Sequence, residues 1–391
     1  MTRRARATAL IGLGVVLIVA AIVVWAIASQ VLVRFPGAGF DLTEHDIGSV
    51  VVQASPTTGA PQSGATLPLD LRRRVHGIGE TDGNVVVQED DTEVTGTLPP
   101  LALTQRYVLD AGSAQNVSSP RAFAYTPANV VDRSGSYSVA LPPGAGSGPY
   151  PIWRNETGST VQMTSAGTVQ ANGLTLTRFH ASAQTVPLDP ALLAQLGQGG
   201  WPQTLTIQQL TPQLAAAGID TGAVNDAIAQ LDDQTDQAQA RELFTAPVPM
   251  AYSLSTDEVL RVEPVSGIAV AVERADQTVS MTPQISQLGR LQLILGQPRY
   301  AGKPVVATGA AALARLASHP PATPYARATY SQEARSVAQA AAYARSRAGA
   351  IQLWTRTVPL VLAVLGLIAL VAGLVLGTRR RHSPARGLRD G

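Results

Sequence analysis

The stretch VPLVLAVLGLIALVAGLVLG, residues 358–377, is followed after Thr378 by Arg379, Arg380 and Arg381. Its 20 residues carry no charge, and a bilayer core about 30 Å thick needs roughly 20 helical residues to cross it. The arginines mark the cytoplasmic end, because cationic flanks are retained on that side during insertion. A second run, ALIGLGVVLIVAAIVVWAIA at 9–28, follows an Arg-rich start. It is longer than a signal-peptide core of about 7–15 apolar residues and continues through Val31, Leu32 and Val33, so an uncleaved anchor is expected. Trp25 and Trp354 stand at matched depths near the outer ends of the two runs and suit interfacial anchors. The sequence thus predicts a plasma-membrane protein with a cytoplasmic tail (1–8), a transmembrane helix (9–29), an extracytoplasmic domain (30–356), a second transmembrane helix (358–377) and a basic cytoplasmic tail (378–391).

Within the second span, Gly366, Gly373 and Gly377 share one helical face. Gly373 and Gly377 have the small-xxx-small spacing that lets helices approach closely. A packing face against the first span, at Gly12 and Ala20, is the expectation. Pro359 cannot donate to the carbonyl of Thr355, which predicts a kink where the span begins.

The 391 residues carry a net charge of +2 and a pI near 9. The tails contribute +3 and +4, so the middle carries −5. The basic pI therefore reports the tails, and no nucleic-acid partner is expected. The absence of cysteine excludes disulfides, thiolate nucleophiles and cysteine-ligated zinc.

The middle reads as α+β, a large antiparallel β-rich domain with a helical insert at about 190–244. Strands are predicted at 49–54, 72–78, 85–94, 105–109, 122–125 and 137–141. A hairpin over 161–170 and 174–183 turns at Asn172-Gly173, a strong short-range hairpin signal. The insert predicts helices at 191–196, 207–217 and 221–244, with Asp232, Asp233 and Asp236 on a wet face. Strands follow at 248–255, 258–262, 268–274 and 291–295, then a helix at 303–318. A long helix is predicted from Thr329, with Gln332 facing water, running into the second span.

Chemistry-bearing motifs fail on inspection. Gly144-Ala145-Gly146-Ser147-Gly148 lacks the glycine two before Ser147 that a nucleophile elbow needs, and Lys303 precedes proline where a phosphate loop needs Ser or Thr. His45, His76, His180, His319 and His382 show no ligand spacing. His45 lies between Glu44 and Asp46. The run Glu89-Asp90-Asp91 reads as a solvated strand end. No catalytic, metal or cofactor residues are expected, and the domain is not expected to be an enzyme.

Several segments together give the chain a likeness. They are the anchor, Tyr107 to Asp110 (YVLD), the Tyr-Pro-x-Trp piece from Tyr150 to Trp153, and the Asn-Gly-Leu strand pair reaching Arg178-Phe179. Arg261 to Gly267 (RVEPVSG) and the terminal span complete it. On these the chain resembles the actinobacterial porin PorA family of membrane-anchored envelope domains. The likeness supplies no catalytic residues and implies a pore-forming role. A barrel porin, however, crosses lipid with about ten-residue alternating strands, whereas this chain offers two apolar helices. A domain held at both ends by helices is similar in plan to class B scavenger receptors, which carry lipids through an ectodomain tunnel. The expectation is a domain that binds or conveys an envelope lipid or scaffolds envelope proteins. The rivals are a pore and an extracytoplasmic hydrolase.

Overall fold

The computed structural model describes residues 3–37, 39–53, 55, 64, 66–96, 101–318 and 322–378. Helix α1 (Arg3–Val31) leads into strands β1 (Asp41–Val52), β2 (Thr66–Asp82), β3 (Val85–Thr95), β4 (Leu101–Asp110), β5 (Phe123–Ala124), β6 (Tyr150–Arg154), β7 (Ser159–Ala171) and β8 (Leu174–Pro187). Helices α2 (Pro190–Gln198), α3 (Ile207–Ala216), α4 (Thr221–Ala229) and α5 (Gln234–Thr245) form the insert, with the short strand β9 (Thr204–Leu205). Strands β10 (Val248–Val262) and β11 (Ala269–Pro283), helices α6 (Ser286–Leu295) and α7 (Pro304–Ser318), and β12 (Thr323–Gln332) follow. Helix α8 (Ala334–Gln352) then passes through one π-helical turn (Leu353–Thr357) into α9 (Val358–Thr378).

The strands form one antiparallel half-barrel in the order β5-β4-β3-β2-β1-β12-β11-β10-β8-β7-β6, with β9 added beside β10. Segment 111–149 stitches the open seam between β4 and β6. On one side Val117 N donates to Val108 O and Asn116 N to Ser136 O; on the other Tyr137 N donates to Pro151 O and Trp153 N to Tyr137 O. The Asn172-Gly173 hairpin forms as expected. Both residues have positive φ, and Ala171 faces Leu174 across the turn. The turn after β10 is fixed by Glu263, whose buried carboxylate accepts from Val265 N, Ser266 N and Ser266 Oγ at 2.6–3.0 Å. Gly267 has φ +75, and a Cβ there would lie 2.0 Å from Leu141 O, so glycine is required.

Alternation along the strands divides two faces. The outward face carries cross-strand ion pairs: Arg106–Glu89, Arg178–Glu273–Arg261, and His180–Asp257–Arg274. Such a face belongs in water and is unlike the apolar band of a lipid-facing barrel. The inward face is apolar at its two ends. One end packs the insert, α6 and α7 around Tyr252, Tyr325, Leu291 and Val306. The other packs Phe35, Phe40, Leu42, Leu109, Ile268 and Val270 against Ala340, Ala341 and Ala344 of α8.

Several local expectations change. Residues 291–295 belong to α6, because apolar residues on both sides of Arg290 complete a helical stripe. Residues 221–244 form two helices, since Asp233 caps α5 by accepting from Thr235 N and Asp236 N. Asp236 is not wet: it is buried and accepts from Tyr300 Oη at 2.8 Å. Residues 137–141 make a single bridge, not a strand. The long helix begins at Ala334, not Thr329, because 323–332 pair with both β1 and β11. Its entry into the second span holds a π turn just before Pro359, a local widening that re-aims the helix where the proline amide is missing.

Candidate ligand-binding cavity

The two apolar ends of the half-barrel enclose a polar middle layer. Leu42, Glu44, Asp46 and Val50 are the inward residues of β1, and all four are buried. Gln88 and Asp90 take the same role on β3, and Thr256 and Glu258 on β10. Arg73 enters from β2. It donates to both Asp90 Oδ2, at 2.7 and 2.9 Å, and Glu44 Oε2, at 3.3 Å. Arg154 at the end of β6 reaches across to pair with Glu258. Tyr107 Oη donates to Asp90 Oδ2 at 3.2 Å and accepts from Asn155 Nδ2. Gln332, at the end of β12, is only 8% exposed, and its Oε1 accepts from Val272 N at 3.0 Å. The expectation that Gln332 faces water is thus overturned, because it closes a strand whose inner face is walled by β1 and β11.

A cavity of about 230 Å³ lies within this layer. Its lining is mixed: Glu44, Asp46, Asp90, Arg154 and Gln332 contribute polar groups, and Ile152, Met163, Leu260, Val262 and Ala269 contribute apolar ones. Four buried polar atoms of residues that line it have no protein partner: Asp46 Oδ1, Gln332 Nε2, Trp153 Nε1 and Arg154 Nε. Leaving such groups unmatched costs about 1–3 kcal/mol each, so a cavity that keeps four of them is built to receive polar contents. Burial, and then the charge of Glu44, pushes the Asp46 carboxyl up to about 7. Burial also raises Glu44, against the opposing pull of Arg73.

The local cluster around His45 divides across the sheet. Glu44 and Asp46 point inward, while His45 points outward between Asp70 Oδ1 at 2.9 Å and Glu333 Oε2 at 2.8 Å. Both ring nitrogens therefore face carboxylates, and the Glu333 hydrogen bond, ahead of that from Asp70, raises the imidazole above its ordinary value. The run Glu89-Asp90-Asp91 is not a solvated strand end. Asp90 is 2% exposed beneath Arg73, because a run of three on a strand must send its middle residue to the opposite face. His76, Glu89 and Asp91 bring one possible ligand atom each within 4.8 Å on the outer face. Arg106 already donates twice to Glu89 Oε2 there, and Thr104 donates to Asp91 Oδ1.

In the membrane hairpin, α1 and α9 pack along their length. A Cβ at Gly366 would lie 2.8 Å from Gly14 O, and one at Gly373 would lie 3.0 Å from Ala7 O. Gly377 meets open space and is not part of this contact, and Gly12 likewise has nothing within 4 Å. The facing residue on α1 is Gly14, since its helical phase, and not that of Gly12, matches Gly366. Trp25 and Trp354 are 54% and 45% exposed, near the domain ends of the two apolar helices. Among the described residues, 5–31 and 334–378 are helices long and apolar enough to cross a membrane.

Fold and cavity together define a membrane protein in which two packed helices carry a β half-barrel with a polar interior. A protein-family model described as Porin PorA matches residues 6–375, and the chain belongs to that family. No curated protein matches the chain.

Proposed function

We propose that the chain is a two-span plasma-membrane protein with both termini in the cytoplasm, whose extracytoplasmic half-barrel binds a small amphiphilic component of the cell envelope. The observation that carries this reading is the cavity: partly open, mixed in polarity, and bordered by residues that hold four unpartnered buried polar atoms. Its 230 Å³ lies below the roughly 300–1,000 Å³ of clefts that take whole drug-sized ligands. It therefore suits the headgroup of an envelope lipid better than a complete acyl chain. Native mass spectrometry of the full chain, extracted from its own membrane, should show a co-purifying small molecule or lipid. Protein that carries none, and takes up none from added envelope lipid extract, would remove this reading.

A pore is favoured by the family description. The paired helices α1 and α9 leave no conduit within one chain, so conduction would require several copies around an axis. Planar-bilayer recordings test it, and silence across concentrations would count against it. The carboxylates converging in the cavity favour the hydrolase reading. Three of them, however, are held by guanidinium groups: Glu44 and Asp90 by Arg73, and Glu258 by Arg154. That leaves Asp46 and Glu156 as the carboxylates not held by an arginine, and with no further catalytic group placed between them we read the domain as binding rather than catalytic.

A further inference from the structure

We propose that the cavity recognises an organic ammonium ion, with Asp46 as the carboxylate that receives the ammonium group and the apolar lining residues holding the attached hydrocarbon. This rests on the reading of the cavity as a binding site and names the chemistry it selects. The lining holds five carboxylates, Glu44, Asp46, Asp90, Glu156 and Glu258, against two guanidinium groups, Arg73 and Arg154. Both arginines are consumed in ion pairs. Even with the buried Arg133 behind Tyr107 and Trp153, carboxyl groups outnumber guanidinium groups here, and a carboxyl is charged in such a place only when it is paired. Asp46 is 4% exposed and its Oδ1 has no protein partner, so it is the acceptor left for an incoming cation.

The occupant is an organic cation and not a bare metal ion for three reasons. The volume far exceeds one ion. Tyr125 and Tyr330 supply aromatic rings of the kind that attract ammonium groups, whereas Tyr107 and Trp153 already lie against the Arg133 guanidinium. Ile152, Met163, Leu260 and Val262 offer an apolar surface that a hydrated ion would leave unused. The unpartnered Gln332 Nε2 and Trp153 Nε1 can donate to a hydroxyl or phosphoryl oxygen carried by the same molecule. An amine-bearing lipid headgroup and a free amine share this chemistry.

Calorimetric titration of the full chain in an amine-free detergent separates the possibilities. The probes are hexylammonium and hexanol, equal in length and different in charge. Hexylammonium should bind at least tenfold more tightly than hexanol, the worth of one charge-assisted hydrogen bond. Asp46→Asn should remove that preference, bringing the two probes to equal affinity, and Asp46→Ser should do the same. Equal binding of the two probes, or an Asn variant that keeps the preference, overturns the ammonium proposal and leaves the cavity a binding site. Failure of both probes overturns the proposal and the binding reading together. Competition by phosphatidylethanolamine, but not phosphatidylglycerol, would assign the ammonium to a lipid headgroup; competition only by ethanolamine would assign it to a free amine.

Discussion

Replacing Asp46 with Asn should stabilise the unliganded protein strongly at pH 8 and only slightly at pH 5. Asp46 is buried, and its carboxyl titrates at about 7 against an ordinary value of 3.8. A raised carboxyl disfavours its charged form in the fold. The cost is absent below the unfolded value, grows from about pH 4, and is complete above about pH 7. Three decades of proton affinity at about 1.4 kcal/mol each make that cost about 4 kcal/mol at pH 8. For a domain of this size about 2 °C follows each kcal/mol, so a difference of several degrees is expected. Glu44, raised by burial, and His45, raised by Glu333, both shift stability toward lower pH as well. The informative quantity is therefore the difference between wild type and variant at each pH, with Arg73, Glu258, Glu44 and His45 kept as the surrounding charges. Thermal melts of the detergent-solubilised chain at pH 5, 6, 7 and 8 measure it. Parallel curves for the two proteins across that range would refute the reasoning, because they would mean Asp46 is solvated or compensated.

Other perturbations test separate links. Arg73→Met strips the partner from buried Glu44 and Asp90 and should cost about 3–5 kcal/mol in denaturant unfolding, the usual result of leaving a buried charge alone; a cost under 1 kcal/mol would mean the layer is hydrated. Gly267→Ala combines a left-handed backbone with a clash against Leu141 O and should cost at least about 1–2 kcal/mol, read from the same unfolding curves. Gly373→Leu should lower disulfide crosslinking between cysteines placed on the facing stripes of α1 and α9, in a chain that has no cysteine of its own, whereas Gly377→Leu should not. Glu273, held below its ordinary value first by its hydrogen bond from Arg261, stabilises the fold above pH 4.5 and loses that contribution as pH falls through its folded value. Glu273→Gln should accordingly flatten the acid limb of the stability curve.

The two apolar helices and most of the strands are legible from composition and punctuation alone. The 20-residue uncharged run, the Asn-Gly hairpin and the proline that opens α2 each act through local rules that no distant contact overrides. The polar interior is harder to read, yet a signal exists. Glu44 and Asp46 share parity with Leu42 and Val50 along β1, as Asp90 does with Val86 on β3 and Glu258 with Leu254 and Val262 on β10. On a strand, equal parity means an equal face, so these acids had to point where the apolar residues point. Glu44 and Asp46 looked instead like a local cluster with His45, and Asp90 like part of an acidic run. The misplaced start of α8 has a similar origin. Tyr330 fits a helical period with Ala334 and Val337, and Gln332 fits the opposite, wet face of the same helix, but the pairing of β12 with both β1 and β11 decides in favour of a strand, and local pattern carries no trace of those partners.

The most direct test of the central claim is an experimental density map of the full chain purified from its native membrane without added amine or lipid. The account predicts density for a small molecule in the interior cavity, in contact with Asp46 and within hydrogen-bond reach of Gln332 or Trp153. A well-defined cavity holding only water, with those groups satisfied by it, would contradict the claim that the half-barrel is a binding domain.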